Sequence, residues 1–246
     1  MKWLKVGIIL PSSNTTVERE FNQISNEIDQ YKITFHASRI RLDNVTLNDL
    51  DFMERETERA TYELATLNPN IIAYACTSGS FFRGPKHYEE IVQRIERIAK
   101  VQAVATSGSV LKALNKLNIK KVVLVTPYID EINKREVEFL SANGIYVVKS
   151  KGMGIVRNTD IGSVEPEEVY KFVLNSLNGV SDFDGVFISC TNLRTFEIID
   201  KLEKEIGKPV ISSNTATLWE IFHRLNIGVE KLGGVEKLGI LFKNLR

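Results

Sequence analysis

The 246-residue chain repeats itself once, and the repeat limits its folds more than any other feature. "KVGIILP", ending at Pro11, resembles "KVVLVTP", ending at Pro127. Later in each half a cysteine precedes a threonine, as Cys76-Thr77 and Cys190-Thr191. The spacing from proline to cysteine is 65 residues in the first half and 63 in the second. Farther on, Val110, Leu111, Leu114 and Leu117 come before one "NI", and Leu218, Trp219, Phe222 and Leu225 before another. General likeness among α/β units is the plainer explanation. Order, spacing and cysteine position together favour duplication.

Short β-rich runs occupy residues 3–10, 31–38, 70–75, 101–105, 121–125, 144–150, 183–189 and 208–212. Their continuous apolar character predicts strands buried on both faces of parallel sheets. Amphipathic segments lie between them. One, after Pro85, sets Ile91, Val92, Ile95, Ile98 and Ala99 on a single helical face. Another runs from about Leu47 to Leu67 without Gly. The alternation predicts an α/β protein of two pseudo-symmetric, doubly wound domains with parallel sheets. Residues 1–117, joined by the tail 226–246, form the first half, and residues 118–225 the second. Ligands of open α/β sheets bind beyond the carboxyl ends of strands. Both cysteines follow such ends, so pseudo-symmetry predicts two thiols facing each other across one interdomain cleft.

Composition excludes several classes. With 32 basic and 31 acidic residues the net charge is +1, which offers no field to recruit nucleic acid or an anionic membrane. The first apolar run stops at Pro11, too short for a signal-peptide core, and no stretch has membrane-spanning length. The expected compartment is the cytoplasm, where two cysteines remain thiols. A disulfide between the halves is an alternative. Zinc is disfavoured, since there is no CxxC and His36, His87 and His223 show no ligand spacing. "GMGIVR" at 152–157 lacks the GxGxxG form, so no dinucleotide, and no cofactor of any kind, is expected. The tail repeats "VEKLG" at 229–233 and 235–239, too short to define a repeat architecture.

A thiolate is a strong nucleophile and a thiol a usable acid near neutral pH. "CTSGS" and "CTNLR" each read as a strand turning into a helix start, where backbone N–H groups and small polar side chains would poise a thiol and bind carboxylates. A buried structural cysteine is the competing reading for either one taken alone.

With "PSSNTTVE" after the first strand, "ACTSGS" and "CTNLR" resemble the maleate cis-trans isomerases. These belong to the aspartate/glutamate racemase superfamily, which includes arylmalonate decarboxylases and hydantoin racemases. The resemblance runs over nearly the whole chain. It implies that Cys76 is the nucleophile, adding to an alkene carbon of maleate, and that Cys190 is the proton donor. Asn14 matches a carboxylate-binding asparagine, Tyr128 a tyrosine at the cleft, and Asn158 a further binding asparagine. Ser78, Thr191 and Asn192 would supply donors beside the thiols. Asn14 also reads as a helix cap. Arg83 and Arg194, close to the thiols in sequence, read as solvated or paired.

The expected reaction is cofactor-independent isomerization of maleate, or a related small unsaturated diacid, and the expected assembly a symmetric homo-oligomer. Racemization of Asp or Glu uses two thiols as well, but amino-acid racemases read Cys-Asn-Thr where this chain reads Cys-Thr-Ser. Arylmalonate decarboxylation needs one cysteine, and this chain keeps two. A non-catalytic, two-lobed binding protein is the third alternative, favoured if both thiols have raised pKa values.

Overall fold

The structure, a computed structural model, describes residues 2–25, 31–228 and 234–243. The first half runs β1 (Lys2–Pro11), α1 (Val17–Ser25), β2 (Tyr31–Ile40), α2 (Leu47–Arg55), α3 (Thr57–Ala65), β3 (Ile71–Tyr74), α4 (Thr77–Phe81), α5 (His87–Ala99), β4 (Gln102–Ala105) and α6 (Thr106–Lys116). The second runs β5 (Lys121–Thr126), α7 (Asp130–Ala142), β6 (Tyr146–Gly152), α8 (Asn158–Gly162), α9 (Pro166–Leu177), β7 (Gly185–Ile188), α10 (Ile199–Ile206), β8 (Val210–Ser212) and α11 (Ser213–Arg224). A 3-10 turn (Val235–Leu238) and α12 (Ile240–Lys243) follow.

Each half builds one four-stranded, all-parallel sheet, ordered β2-β1-β3-β4 and β6-β5-β7-β8. The two orders are the same when read strand for strand, as duplication requires. Every residue of β3, β7 and β8 is buried, which accounts for their unbroken apolar runs. Register then sets the site. Ile9 pairs with Tyr74 and Tyr74 with Ala105, while Val125 pairs with Ile188 and Ile188 with Ser212. The segments after β1, β3 and β4 therefore emerge from one edge of the first sheet, and those after β5, β7 and β8 from the matching edge of the second. The halves meet through α6 against α11, where the Thr217 hydroxyl donates to Thr106 Oγ1 at 3.0 Å.

Two expectations need correction. The helix expected from Leu47 to Leu67 is two helices, broken at Glu56, where the Thr57 hydroxyl donates back to the Met53 carbonyl at 3.3 Å. The tail was expected to join the first half. Its described residues, 234–243, pack instead on α10 and α11, with the Ile240 N–H donating to Glu203 at 2.8 Å. The second "VEKLG" forms the 3-10 turn, and the first lies outside the described residues. Among the described residues no helix is long and apolar enough to cross a membrane.

Candidate active site

Cys76 leaves β3 with an extended backbone and caps α4, its sulfur accepting the Gly79 N–H at 3.4 Å. The Ser78 hydroxyl lies 3.8 Å from the same sulfur. Position 79 requires glycine, because a Cβ there would stand 2.8 Å from the Tyr74 hydroxyl and 3.0 Å from Cys76 Sγ. The Thr77 hydroxyl donates across the halves to Ser213 Oγ at 2.8 Å.

Cys190 follows β7 at the pseudo-equivalent place, but its φ is +98°, a left-handed conformation that costs a non-glycine residue about 1–3 kcal/mol. No helix starts here, contrary to the sequence reading. The chain makes one turn, Leu193 N–H to Cys190 O at 3.3 Å, then a second, Ile198 N–H to Thr195 O at 3.0 Å, and α10 begins only at Ile199. The intervening N–H groups of Thr195 and Phe196 donate to Glu20 Oε1 of α1, at 2.6 and 3.0 Å. A carboxyl group from the other half thus replaces the helical turn. Cys190 Sγ accepts the Asn192 N–H at 3.4 Å, and the Cys190 N–H donates to Ser213 Oγ at 3.0 Å. One serine hydroxyl therefore holds both cysteine turns.

The other residues singled out in the sequence converge on the same edge. Asn14 caps the start of α1, its Oδ1 accepting the N–H groups of Thr16 and Val17, while its amide donates to Thr191 Oγ1 at 3.1 Å. The Thr191 hydroxyl donates to Ala75 O at 3.2 Å, beside Cys76. Asn192 accepts the Thr15 N–H at 2.9 Å and donates to Asn158 O at 2.7 Å. The Asn158 amide donates to Ser13 Oγ at 2.8 Å. Tyr128 is buried, its hydroxyl beside Cys190. Asn14, Ser78, Asn158, Thr191 and Asn192 are buried as well. The loops after β2 and β6 meet over this region, with Val45 N–H to Val156 O at 2.8 Å and Asn158 N–H to Asp43 O at 3.0 Å.

Both cysteines are free thiols, only 4% and 5% exposed. Burial pushes Cys76 up to about 11, against the opposing effect of the Gly79 N–H and Ser78. Burial pushes Cys190 up to about 12, against the Asn192 N–H and the Tyr128 hydroxyl, with added repulsion from Cys76 and Glu136. The expectation that the turns poise both thiols near neutrality is overturned, since desolvation outweighs the local donors. The Cys76 charge reaches Cys190, and the Thr191 hydroxyl next to Cys190 bonds the Ala75 carbonyl next to Cys76, so the two turns adjoin. Arg83 pairs with Asp51 and Glu54, and Arg194 with Glu165 and Glu197, in keeping with the paired reading of both.

Sequence reasoning missed Ser213, Asn214, Glu20, Glu136 and Arg39. Asn214 donates to Glu20 at 2.6 Å and to Thr191 O at 3.0 Å, and Arg39 donates to Asn14 O at 2.9 Å. The glutamates carried a signal: Glu20 lies nine residues after Pro11 and Glu136 nine residues after Pro127.

Two like α/β lobes each bring a buried thiol to a matched strand end, and Ser213 Oγ bonds both cysteine turns. The chain belongs to the arylmalonate decarboxylase family, whose model matches residues 6–237, and maleate isomerases are among its relatives. It is 30% identical over 236 residues to the maleate isomerase of Geobacillus stearothermophilus, covering 92% of this chain and 93% of the relative. The crystal structure of the maleate isomerase Iso from Pseudomonas putida S16 superposes with a TM-score of 0.94 at 24% identity, covering 100% of both chains. A Nocardia farcinica maleate cis-trans isomerase mutant with a covalently bound succinylcysteine intermediate gives a TM-score of 0.88 at 24% identity, over 99% of this chain and 98% of that one.

Proposed function

We propose that this protein isomerizes maleate, or a closely related small cis-unsaturated diacid, to the trans isomer without a cofactor. The observation that carries the proposal is the placement of two thiols from matched lobes in one buried site, with Ser213 Oγ bonded to both turns. Cys76, which caps α4 and accepts the Gly79 N–H, takes the nucleophile's part as its thiolate. Its thiolate forms a C–S bond to one alkene carbon as Cys190 gives its proton to the other. The former double bond, now single, rotates. Cys190 thiolate then takes a proton back, the C–S bond breaks, and the trans diacid leaves with both cysteines restored. Asn14 and the amides around Thr191 and Asn192 orient the carboxylates, and Tyr128 stands by the Cys190 sulfur. The succinylcysteine held by the Nocardia relative is the adduct this sequence of steps would form.

The family model is named for a decarboxylase, a reaction that needs one cysteine; the retention of both favours isomerization. One observation favours a second, non-catalytic reading as a small-molecule-binding protein, namely the high pKa of both thiols. Proton NMR of maleate in D₂O separates the readings. Wild type is expected to produce fumarate, while Cys76→Ser and Cys190→Ser each lose about 10³-fold or more with the fold intact. Cα–H exchange on aspartate or glutamate with no fumarate would indicate a racemase, and decarboxylation of an arylmalonate a decarboxylase. Silence in every tube would leave the binding protein.

A further inference from the structure

The steps above leave one buried acid beside the thiols unused. Glu136 of α7 is 1% exposed, and its Oε1 accepts the Ser189 hydroxyl at 2.6 Å. Its Oε2 is buried with no hydrogen-bond partner among the described residues. Ser189 directly precedes Cys190, where the first half has Ala75 before Cys76. The acid thus sits behind one thiol of the pair.

We propose that Glu136 is a positioning residue for Cys190: through Ser189 it holds the turn, and by its charge it keeps the proton on the Cys190 sulfur. This rests on the assignment of Cys190 as the proton donor. The pseudo-equivalent Glu20 bonds farther along the same segment, through the Thr195 and Phe196 N–H groups. An anion near a thiol opposes its ionisation, and Cys190 and Tyr128 both respond to Glu136 in that sense. Burial raises Glu136 itself to about 8, with only the Ser189 hydroxyl opposing. No cation neutralises it from the elements packed on α7. On β6, Lys149 donates to Asn178 O and Lys151 lies over the Phe172 ring; on α7, Arg135 donates to Phe82 O; α4 carries no ionisable side chain other than the thiol that caps it. Glu136 therefore gains its charge near pH 8 and, with it, its hold on the Cys190 proton.

The test needs no turnover. In a Cys76→Ser background, the rate of Cys190 alkylation by iodoacetamide reports its thiolate fraction, which changes tenfold per pKa unit at fixed pH. Below about pH 8 the Glu136→Gln double variant is expected to react like its parent. Above it, the variant pulls ahead by about tenfold, because the parent gains an opposing charge and the variant does not. A merely structural role would shift the rates equally at all pH values, and parallel profiles would overturn the proposal. Infrared difference spectra of wild type minus Glu136→Gln give a second readout, independent of access to the thiol. They should show a protonated carboxyl band that bleaches across pH 8, and its absence would also overturn the proposal. With maleate, Glu136→Gln should lower kcat relative to wild type only above about pH 8, with KM changed less than twofold. If neither protein turns over maleate, the isomerase reading fails while the alkylation profile still decides the role of Glu136.

Discussion

The two cysteine turns come from the same repeat, yet they differ wherever chemistry would notice. Cys76 enters a helix, follows Ala75, and has Gly79 folded against its sulfur. Cys190 enters an irregular turn at positive φ, follows Ser189, and has Tyr128 and the buried Glu136 beside it. The first setting is spare and weakly polar, with two donors aimed at sulfur. The second holds a buried acid and two hydroxyls, those of Ser189 and Tyr128. Duplication supplies two thiols; the division of labour between them comes from what each lobe adds afterward.

The largest expected effect separates the two acids. Burial raises Glu20 to about 7 and Glu136 to about 8, from 4.5 in each case. Each folded carboxyl binds its proton more tightly than the unfolded one, so the stability contributed is full below pH 4.5 and falls as pH rises through the folded pKa. The loss is roughly 3 kcal/mol or more for each acid. Urea unfolding from pH 4 to 9 should show it, ending near 7 for the Glu20 part and near 8 for the Glu136 part. Glu136→Gln should lessen the slope from pH 4.5 to 7 and abolish it between 7 and 8, and an unchanged slope between pH 7 and 8 would break the distinction.

Ser213 tests what the turns share. Ser213→Ala removes the acceptor of the Thr77 hydroxyl and the Cys190 N–H, at an expected cost of about 1–3 kcal/mol and a fall in turnover. Urea midpoints and maleate NMR check it. An effect confined to alkylation of one thiol would show that the turns are held separately.

The smallest effect concerns backbone strain. Cys190→Gly should be more stable than Cys190→Ala by about 1 kcal/mol, since glycine accepts a φ of +98° freely. The same pair at Cys76, whose φ is −144°, should favour alanine. Thermal unfolding of the four variants makes that comparison directly.

Most of the fold could be read from the sequence, because it rests on periodic apolar runs. All eight expected strands are present, since a strand buried on both faces leaves a continuous signal. The helix break at Glu56 escaped notice because nothing in "MERETER" interrupts helical periodicity. Asn14, Tyr128, Asn158 and the residues beside the cysteines, which the resemblance singles out, lie near one another at the strand ends. Ser213 and Asn214 were missed, since a serine and asparagine opening a helix look like ordinary caps. Glu20 and Glu136 looked like surface charges on amphipathic helices; only counting from the two prolines would have paired them. The thiol pKa values were misjudged because donors are visible in a sequence and burial is not.

The central claim is that Cys76 attacks and Cys190 protonates. The most direct measurement is mass spectrometry of Cys190→Ala after incubation with maleate. The account predicts that any adduct, with the mass of one added maleate, maps to the peptide bearing Cys76, and that Cys76→Ala accumulates none. An adduct on Cys190 in Cys76→Ala, with none on Cys76 in Cys190→Ala, would reverse the roles and contradict it.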